Sequence, residues 1–194
     1  LGGCLLVVAQ RRDPRQRGLG AAAALALLGL ALRLWWLPGW LPEDLASGLY
    51  RLRGPVEGEE RGAAFMRGEI FKSKKVIFYD DDPGASISVF EFKGGAGELA
   101  RSLTVNGKPD SATYKDLTTT VILGVLPALL AESPKRAFVA GFGTGVTSGE
   151  LAELQGIEEV TVAEISPAVA RAAPYFDFAN HGVSTNPRIR LARS

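Results

Sequence analysis

The chain has 194 residues, with 22 Lys and Arg against 21 Asp and Glu and a formal net charge of +1. That length suits one domain or one domain with a small appendage, and so even a charge balance offers no clustered basic face, so no nucleic-acid partner is expected. A single cysteine, Cys4, and a single histidine, His181, exclude an intrachain disulfide, a cysteine-rich metal site and most histidine-based metal or triad schemes, and no metal is expected.

Leu1 to Ala9 is apolar, does not begin with Met, and reads as the tail of an earlier membrane helix. Gln10 to Arg17 follows as a short basic loop. Gly18 to Trp40 is apolar except for Arg33, and is about as long as the roughly 20 residues that cross a bilayer. Arg33 lies near one end, where its stem could carry the charge to the head groups. Trp35, Trp36 and Trp40 cluster beside it as an interfacial belt would. Residues 1–41 are therefore expected to hold an N-terminal hydrophobic transmembrane helix. A signal peptide competes, but apolar sequence precedes the arginines. Both ends of the chain look cut, as in a piece of a longer membrane protein.

Residues 42–68, rich in Gly, Glu and Arg, read as a linker with a helical turn or two near Glu43 to Tyr50. Residues 69–110 read as a small antiparallel β-domain. Lys75 to Asp80 is a run of strand formers, and Asp81-Asp-Pro-Gly84 is a turn in which Pro83 fixes φ and Gly84 accepts positive φ. Ser86 to Phe92 alternates, Gly94 to Gly97 turns, and Ala100 to Val105 ends on the hairpin signal Asn106-Gly107. The acidic run Asp80-Asp-Asp82 reads as a solvent-facing loop rather than a metal site, because a turn alone offers too few converging oxygens.

Residues 111–194 read as a partial Rossmann-like domain. Thr118 to Ala131 has apolar residues at helical spacing. Ala137 to Ala140 is a short buried strand, Gly141-Phe-Gly-Thr-Gly145 a glycine loop, Val146 to Leu154 a helix, and Val160 to Ala163 a second strand with Glu164 at its tip. Glycines without side chains let backbone N–H groups approach a ligand, the helix points its positive end at the loop, and an acid about 20 residues beyond the loop suits a ribose diol. The alternative is a tight turn whose Glu164 caps the helix opening at Ser166-Pro167. The Gly-x-Gly-x-Gly spacing favours S-adenosyl ligands over NAD. The fold expected is thus α/β: an incomplete Rossmann-like, class I methyltransferase-like domain behind a small antiparallel β-domain and an N-terminal hydrophobic helix.

Leu103-Thr-Val-Asn-Gly-Lys-Pro-Asp110, Leu126-Pro127, Val139-Ala-Gly-Phe-Gly-Thr-Gly145, Val160-Thr-Val-Ala-Glu-Ile165 and Tyr175-Phe176 occur in this order. In these, in Leu45 to Tyr50 and in Val76 to Tyr79, the chain resembles the polyamine aminopropyltransferases, the spermidine synthase family, and most closely its bacterial branch fused to membrane helices. The resemblance implies transfer of an aminopropyl group from decarboxylated S-adenosylmethionine to a diamine such as putrescine, leaving methylthioadenosine. It implies cofactor binding by Gly141, Gly143, Thr144, Gly145, Glu164 and Asp110. Thr144 stands where classical synthases carry an acid, Asp110 where they carry a glutamine, and Thr119 and Thr120 replace a tyrosine and its polar neighbour. The family's catalytic acid would lie beyond Ser194, so the residues 1–194 alone are not expected to catalyse the reaction.

Under the positive-inside rule Arg11, Arg12, Arg15 and Arg17 would hold the basic loop in the cytoplasm and the α/β part outside. Arg51, Arg53, Arg61 and Arg67 weigh against this, and an adenosyl cofactor pool favours a cytoplasmic domain on a bacterial cell membrane. Family members often pair, so a homodimer is compatible. Two other functions stay open: an S-adenosylmethionine-dependent methyltransferase, and a non-catalytic nucleoside-binding domain on a transporter-like membrane region.

Overall fold

The computed structural model describes residues 14–35, 41–48, 61, 65, 68–69 and 71–193. The chain divides into two compact units, Leu1–Trp40 and Leu41–Ser194. The first contains α1, Pro14–Trp35, a helix of 22 residues. It begins at Pro14, not Gly18, so the residues 14–17 expected in the basic loop are helical. Proline suits a first helical turn because its missing N–H would have no partner there. Leu25, Leu27, Leu28, Leu30, Leu32 and Leu34 are all more than half exposed. Among the described residues, no helix is long and apolar enough to cross a membrane. Trp36 to Trp40 and the apolar stretch Leu1 to Ala9, both part of the membrane expectation, lie outside the described residues, as do Arg11 and Arg12.

The second unit opens with α2, Pro42–Ala46, one short helix within the expected linker. An antiparallel meander follows: β1 Lys74–Asp81, β2 Ser86–Lys93, β3 Leu99–Val105 and β4 Lys108–Ala112, in the order β1-β2-β3-β4. The Asn106-Gly107 hairpin forms as its residues predict, with φ of 48° and 69°. Its second arm, β4, is the strand that the sequence hides, and it carries the β-domain past residue 110 to Ala112. Pro109 lies in it opposite Thr104, and an edge strand tolerates a residue with no N–H to give. Alternation along β2 predicts one buried face, yet Ile87, Ser88, Val89 and Phe90 are all buried. A layer covers each side: Phe71 stacks on Phe90 at 5.9 Å, while Ile87, Val89 and Leu103 join the main core.

The α/β part runs α3 Leu117–Leu130, β5 Arg136–Ala140, α4 Val146–Glu153, β6 Glu159–Glu164, α5 Pro167–Ala172, a 3₁₀ turn Ala173–Phe176 and β7 Ile189–Arg193. The strands form a parallel sheet in the order β5-β6-β7, with Val162 between Val139 and Leu191. Val160 and Val162 are fully buried; Ala137, Val139, Ile189 and Leu191 pack partly buried on the same core. On the other face of β5, Phe138 is 69% exposed. Between the two sheets sits α5, whose Ala168, Val169 and Ala172 are buried with Phe176 against Ile87, Val89 and Leu103 in one continuous core.

Two glycines let α4 pack closely. A Cβ on Gly124 of α3 would lie 2.9 Å from the Thr147 carbonyl oxygen, and one on Gly149 of α4 would lie 2.0 Å from the Asn180 carbonyl oxygen. Backbone cannot yield as a flexible side chain does. Gly149→Ala should therefore lower stability by about 1–3 kcal/mol, with Gly124→Ala at the lower end of that range. Urea unfolding midpoints of the two variants and the parent check both the direction and the order.

Candidate functional site

The site forms where β5 and β6 end side by side. Gly141, Gly143 and Gly145 all hold positive φ, at 86°, 55° and 79°. They divide into two kinds. A Cβ on Gly141 or Gly143 would meet nothing within 4 Å, so these two border open space. A Cβ on Gly145 would lie 2.8 Å from Val183 Cγ2 and 3.0 Å from Asn180 Nδ2. Gly145 is therefore a packing residue as well as the N-terminal cap of α4. Phe142 turns inward to the core at 7% exposure.

Glu164 meets this loop directly. Its Oε2 accepts the Phe142 N–H at 2.8 Å and its Oε1 accepts the Ser166 N–H at 2.7 Å. Each oxygen keeps a further lone pair for a ligand. The two readings weighed from sequence are thus combined: the carboxylate stands at the strand tip beside the glycine loop, and it also steadies the chain at the start of α5. Ser166 itself caps that helix, its Oγ accepting the Val169 N–H at 3.1 Å. Beyond Glu164, Ile165 is 85% exposed, an apolar side chain at the mouth of the site that sequence reasoning passed over.

Thr144 is 3% exposed. Its hydroxyl lies 3.3 Å from that of Ser111 on β4, and its carbonyl accepts the Asn180 amide at 2.9 Å. Asn180 is fully buried and its Oδ1 also takes the Gly182 and Val183 N–H groups. The structure therefore brings Gly141, Gly143, Thr144, Gly145 and Glu164 together. Asp110, the residue before Ser111, is exposed, and its contact is with Lys108 Nζ at 3.4 Å rather than with the glycine loop. Thr120 turns its hydroxyl back to the carbonyls of Leu117 and Asp116 within α3. A groove of about 470 Å³ between α3 and β5, lined by Leu123, Pro127, Phe138 and Val139, reaches the loop only at Gly141.

The acidic turn differs from its expectation. Among Asp80, Asp81 and Asp82, only Asp81 is bonded within its own strand, to the Tyr79 hydroxyl. Asp80 pairs with Arg171 of α5 at 2.5 Å. Asp82 accepts the Ser166 hydroxyl in a short hydrogen bond, and its Oδ1 takes the Gly84 and Ala85 N–H groups, each at 2.8 Å. The expected solvent loop is a clasp on the α/β part, because its carboxylates meet donors on an element far along the chain. Among the described residues no metal-binding group of acids, His or Cys forms. His181 sits in a loop, 3.0 Å from Glu150. Arg188 is bonded to the Ala152 carbonyl, and Arg190 lies 3.7 Å from Glu159.

No known family pattern and no curated protein matches this chain. Its fold resembles that of spermidine synthases. One, solved in complex with the transition-state analogue AdoDATO, aligns at a TM-score of 0.54 and 21% identity over 62% of this chain and 40% of its own. The spermidine synthase from Thermotoga maritima aligns at 0.54 and 21% over 62% and 41%. The chain thus spans about two fifths of those enzymes' length. At this identity the likeness carries the α/β, Rossmann-like fold.

The Ser166 hydroxyl, the largest influence, holds the Asp82 carboxyl below the ordinary carboxylate range; burial opposes it, and the Gly84, Ala85 and Ala168 amides each add a smaller lowering. A depressed folded-state pKa contributes stability that is complete above the unfolded value, roughly pH 4, and is lost as pH falls through the lower folded value. Asp82→Asn should therefore destabilise the chain at pH 7 and reduce its loss of stability across the acid range below about pH 4. Denaturant midpoints measured across that range check the sign.

Proposed function

We propose that this chain is the cofactor-binding part of an aminopropyltransferase, with decarboxylated S-adenosylmethionine as donor and a diamine such as putrescine as acceptor. The observation that carries the reading is Glu164, a carboxylate at a strand tip, fixed against a glycine loop whose Gly141 and Gly143 border open space. In this reading Glu164 accepts the ribose hydroxyls, Ile165 lies against the purine, and Gly141, Gly143, Thr144 and Gly145 form the cradle with Asp110 at its rim. The fold shared with the AdoDATO-bound spermidine synthase supports the choice of ligand.

The reaction is an in-line displacement. The amine nitrogen bonds to the carbon beside the sulfonium, the C–S bond breaks with its electron pair passing to sulfur, and methylthioadenosine leaves as a neutral thioether. The new ammonium gives its proton to a base. The chain's contribution is to hold the donor at a fixed angle and depth, which supplies much of the advantage of such a displacement. No residue within 1–194 is assigned as the base.

The proposal extends to setting. The apolar N-terminal sequence, much of it outside the described residues, attaches the protein to a bacterial cell membrane, the α/β part faces the cytoplasmic cofactor pool, and the protein pairs as a homodimer. A second reading, S-adenosylmethionine-dependent methyl transfer, is favoured by Thr144. Its buried, neutral side chain gives the loop no anion for a cationic aminopropyl tail.

Calorimetry with methylthioadenosine, S-adenosylmethionine and decarboxylated S-adenosylmethionine tests both. We expect methylthioadenosine and the decarboxylated donor to bind, and Glu164→Ala to weaken both by about tenfold or more through loss of charged hydrogen bonds. Tighter binding of S-adenosylmethionine than of its decarboxylated form would favour the methyl-transfer reading. Binding of none of the three would end the nucleoside assignment.

A further inference from the structure

We propose that Asp82, on the turn between β1 and β2, is a positioning residue for the nucleoside site, acting through Ser166 on Glu164. This rests on the reading of Glu164 as the ribose acceptor. The connection can be followed atom by atom. Asp82 Oδ1 is held by the Gly84 and Ala85 N–H groups at 2.8 Å, which fixes its plane to the turn. Asp82 Oδ2 takes the Ser166 hydroxyl proton. Ser166 Oγ at the same time accepts the Val169 N–H at 3.1 Å, so the hydroxyl is committed in both directions and its rotamer is set. The backbone N–H of Ser166 then donates to Glu164 Oε1 at 2.7 Å, and Glu164 Oε2 accepts the Phe142 N–H at 2.8 Å. One carboxylate fixes the turn, the other fixes the glycine loop, and a single serine joins them.

The neighbouring tie does not serve the same purpose. Asp80 meets Arg171 on α5, but the Arg171 side chain is 52% exposed and that of Asp80 29%. Such a pair is screened by water and adds little. It also touches neither Glu164 nor the residue that bonds to it. The Asp82 bond differs on both counts, because it is partly buried and its donor, Ser166, is itself the residue whose N–H meets Glu164.

A ribose diol needs both carboxylate oxygens of Glu164 in one plane and at one height. A change in that plane would cost one of the two hydrogen bonds before it cost the other, so Asp82 should affect ribose recognition more than nucleoside binding in general. Asp82→Asn preserves shape but reverses the polarity at Oδ2. The new Nδ2 group would present protons to a serine whose own proton then lacks its acceptor.

The test compares methylthioadenosine with its 2′-deoxy analogue by calorimetry on the full chain, in the parent, Asp82→Asn, Ser166→Ala and Ser166→Thr. The parent should bind the deoxy analogue about tenfold or more weakly. Asp82→Asn and Ser166→Ala should bring that ratio to within about twofold of unity, and Ser166→Thr, which keeps the hydroxyl, should restore it. Equal weakening of both ligands, with the ratio kept, would show that Asp82 only holds the fold together and would overturn the proposal. Amide hydrogen exchange without ligand gives an independent readout. Phe142 and Ser166 should exchange about tenfold faster in Asp82→Asn than in the parent, beyond the smaller acceleration at Leu103 in the meander that reports the global loss of stability. Unchanged exchange at Phe142 would also overturn the proposal. Failure of the parent to bind either nucleoside would remove the site reading alone, leaving the exchange measurement to decide whether Asp82 sets Glu164.

Discussion

The second unit depends on a core that neither sheet could make by itself. Ile87, Val89 and Leu103 belong to an antiparallel meander, Val160 and Val162 to a parallel sheet, and Phe176 with Ala168 and Val169 to the segment between them. Each fully buried Val, Leu, Ile or Phe contributes roughly 1.5–3 kcal/mol relative to exposure. Because one cluster serves both sheets, the meander and the βαβ unit are stabilised together. Arg101 reinforces the joint from β3: it bonds to Glu91, donates to the Tyr175 carbonyl at 2.5 Å and lies over the Phe178 ring. Phe78 of β1 meets Tyr175 ring to ring at 5.2 Å.

That joint explains why a small β-domain matters to a site whose glycines and acid all come from the α/β part. The glycine loop is held from two directions. Asn180 grips the Thr144 carbonyl through a neutral amide, fully buried. Glu164 grips Phe142 through a charged oxygen. The meander reaches the first anchor through Ser111 at Thr144 and the second through Asp82 at Ser166. Loop geometry is therefore a property of both sheets and not of the strand-loop-helix segment alone.

The βαβ unit was readable because its signals are local. Glycines mark the loop, Ser166-Pro167 marks a helix start, and strand-forming residues flank both, so the sequence alone puts Glu164 at a strand tip. The meander was readable for the same reason up to Gly107. Strand β4 was not, since Lys108-Pro-Asp-Ser-Ala112 is poor in strand formers and owes its state to pairing with β3. Asp82 and Asn180 were invisible for a different reason. Their partners lie 84 and 36 residues away, and no periodic pattern reports a contact at such separations. The acidic turn therefore looked like ordinary solvated charge. Thr144 could be located in the loop, but its burial against Ser111 depended on the unread strand.

The close fit around α4 bears on how much this protein can change. One side of the helix admits no side chain on Gly124, its own surface admits none on Gly149, and its entry admits none on Gly145. Between these contacts Val146, Ser148, Leu151 and Ala152 are all buried. The buried face of this helix thus has almost no position at which a larger amino acid could be accepted without moving backbone, while Thr147 and Glu150 are only half-buried and Glu153 is exposed. Related sequences should diverge widely along α1 and the exposed outer residues of α3 while α4 keeps small side chains in the same places. A library randomised over this unit would recover few solutions at α4, even among variants selected only for folding.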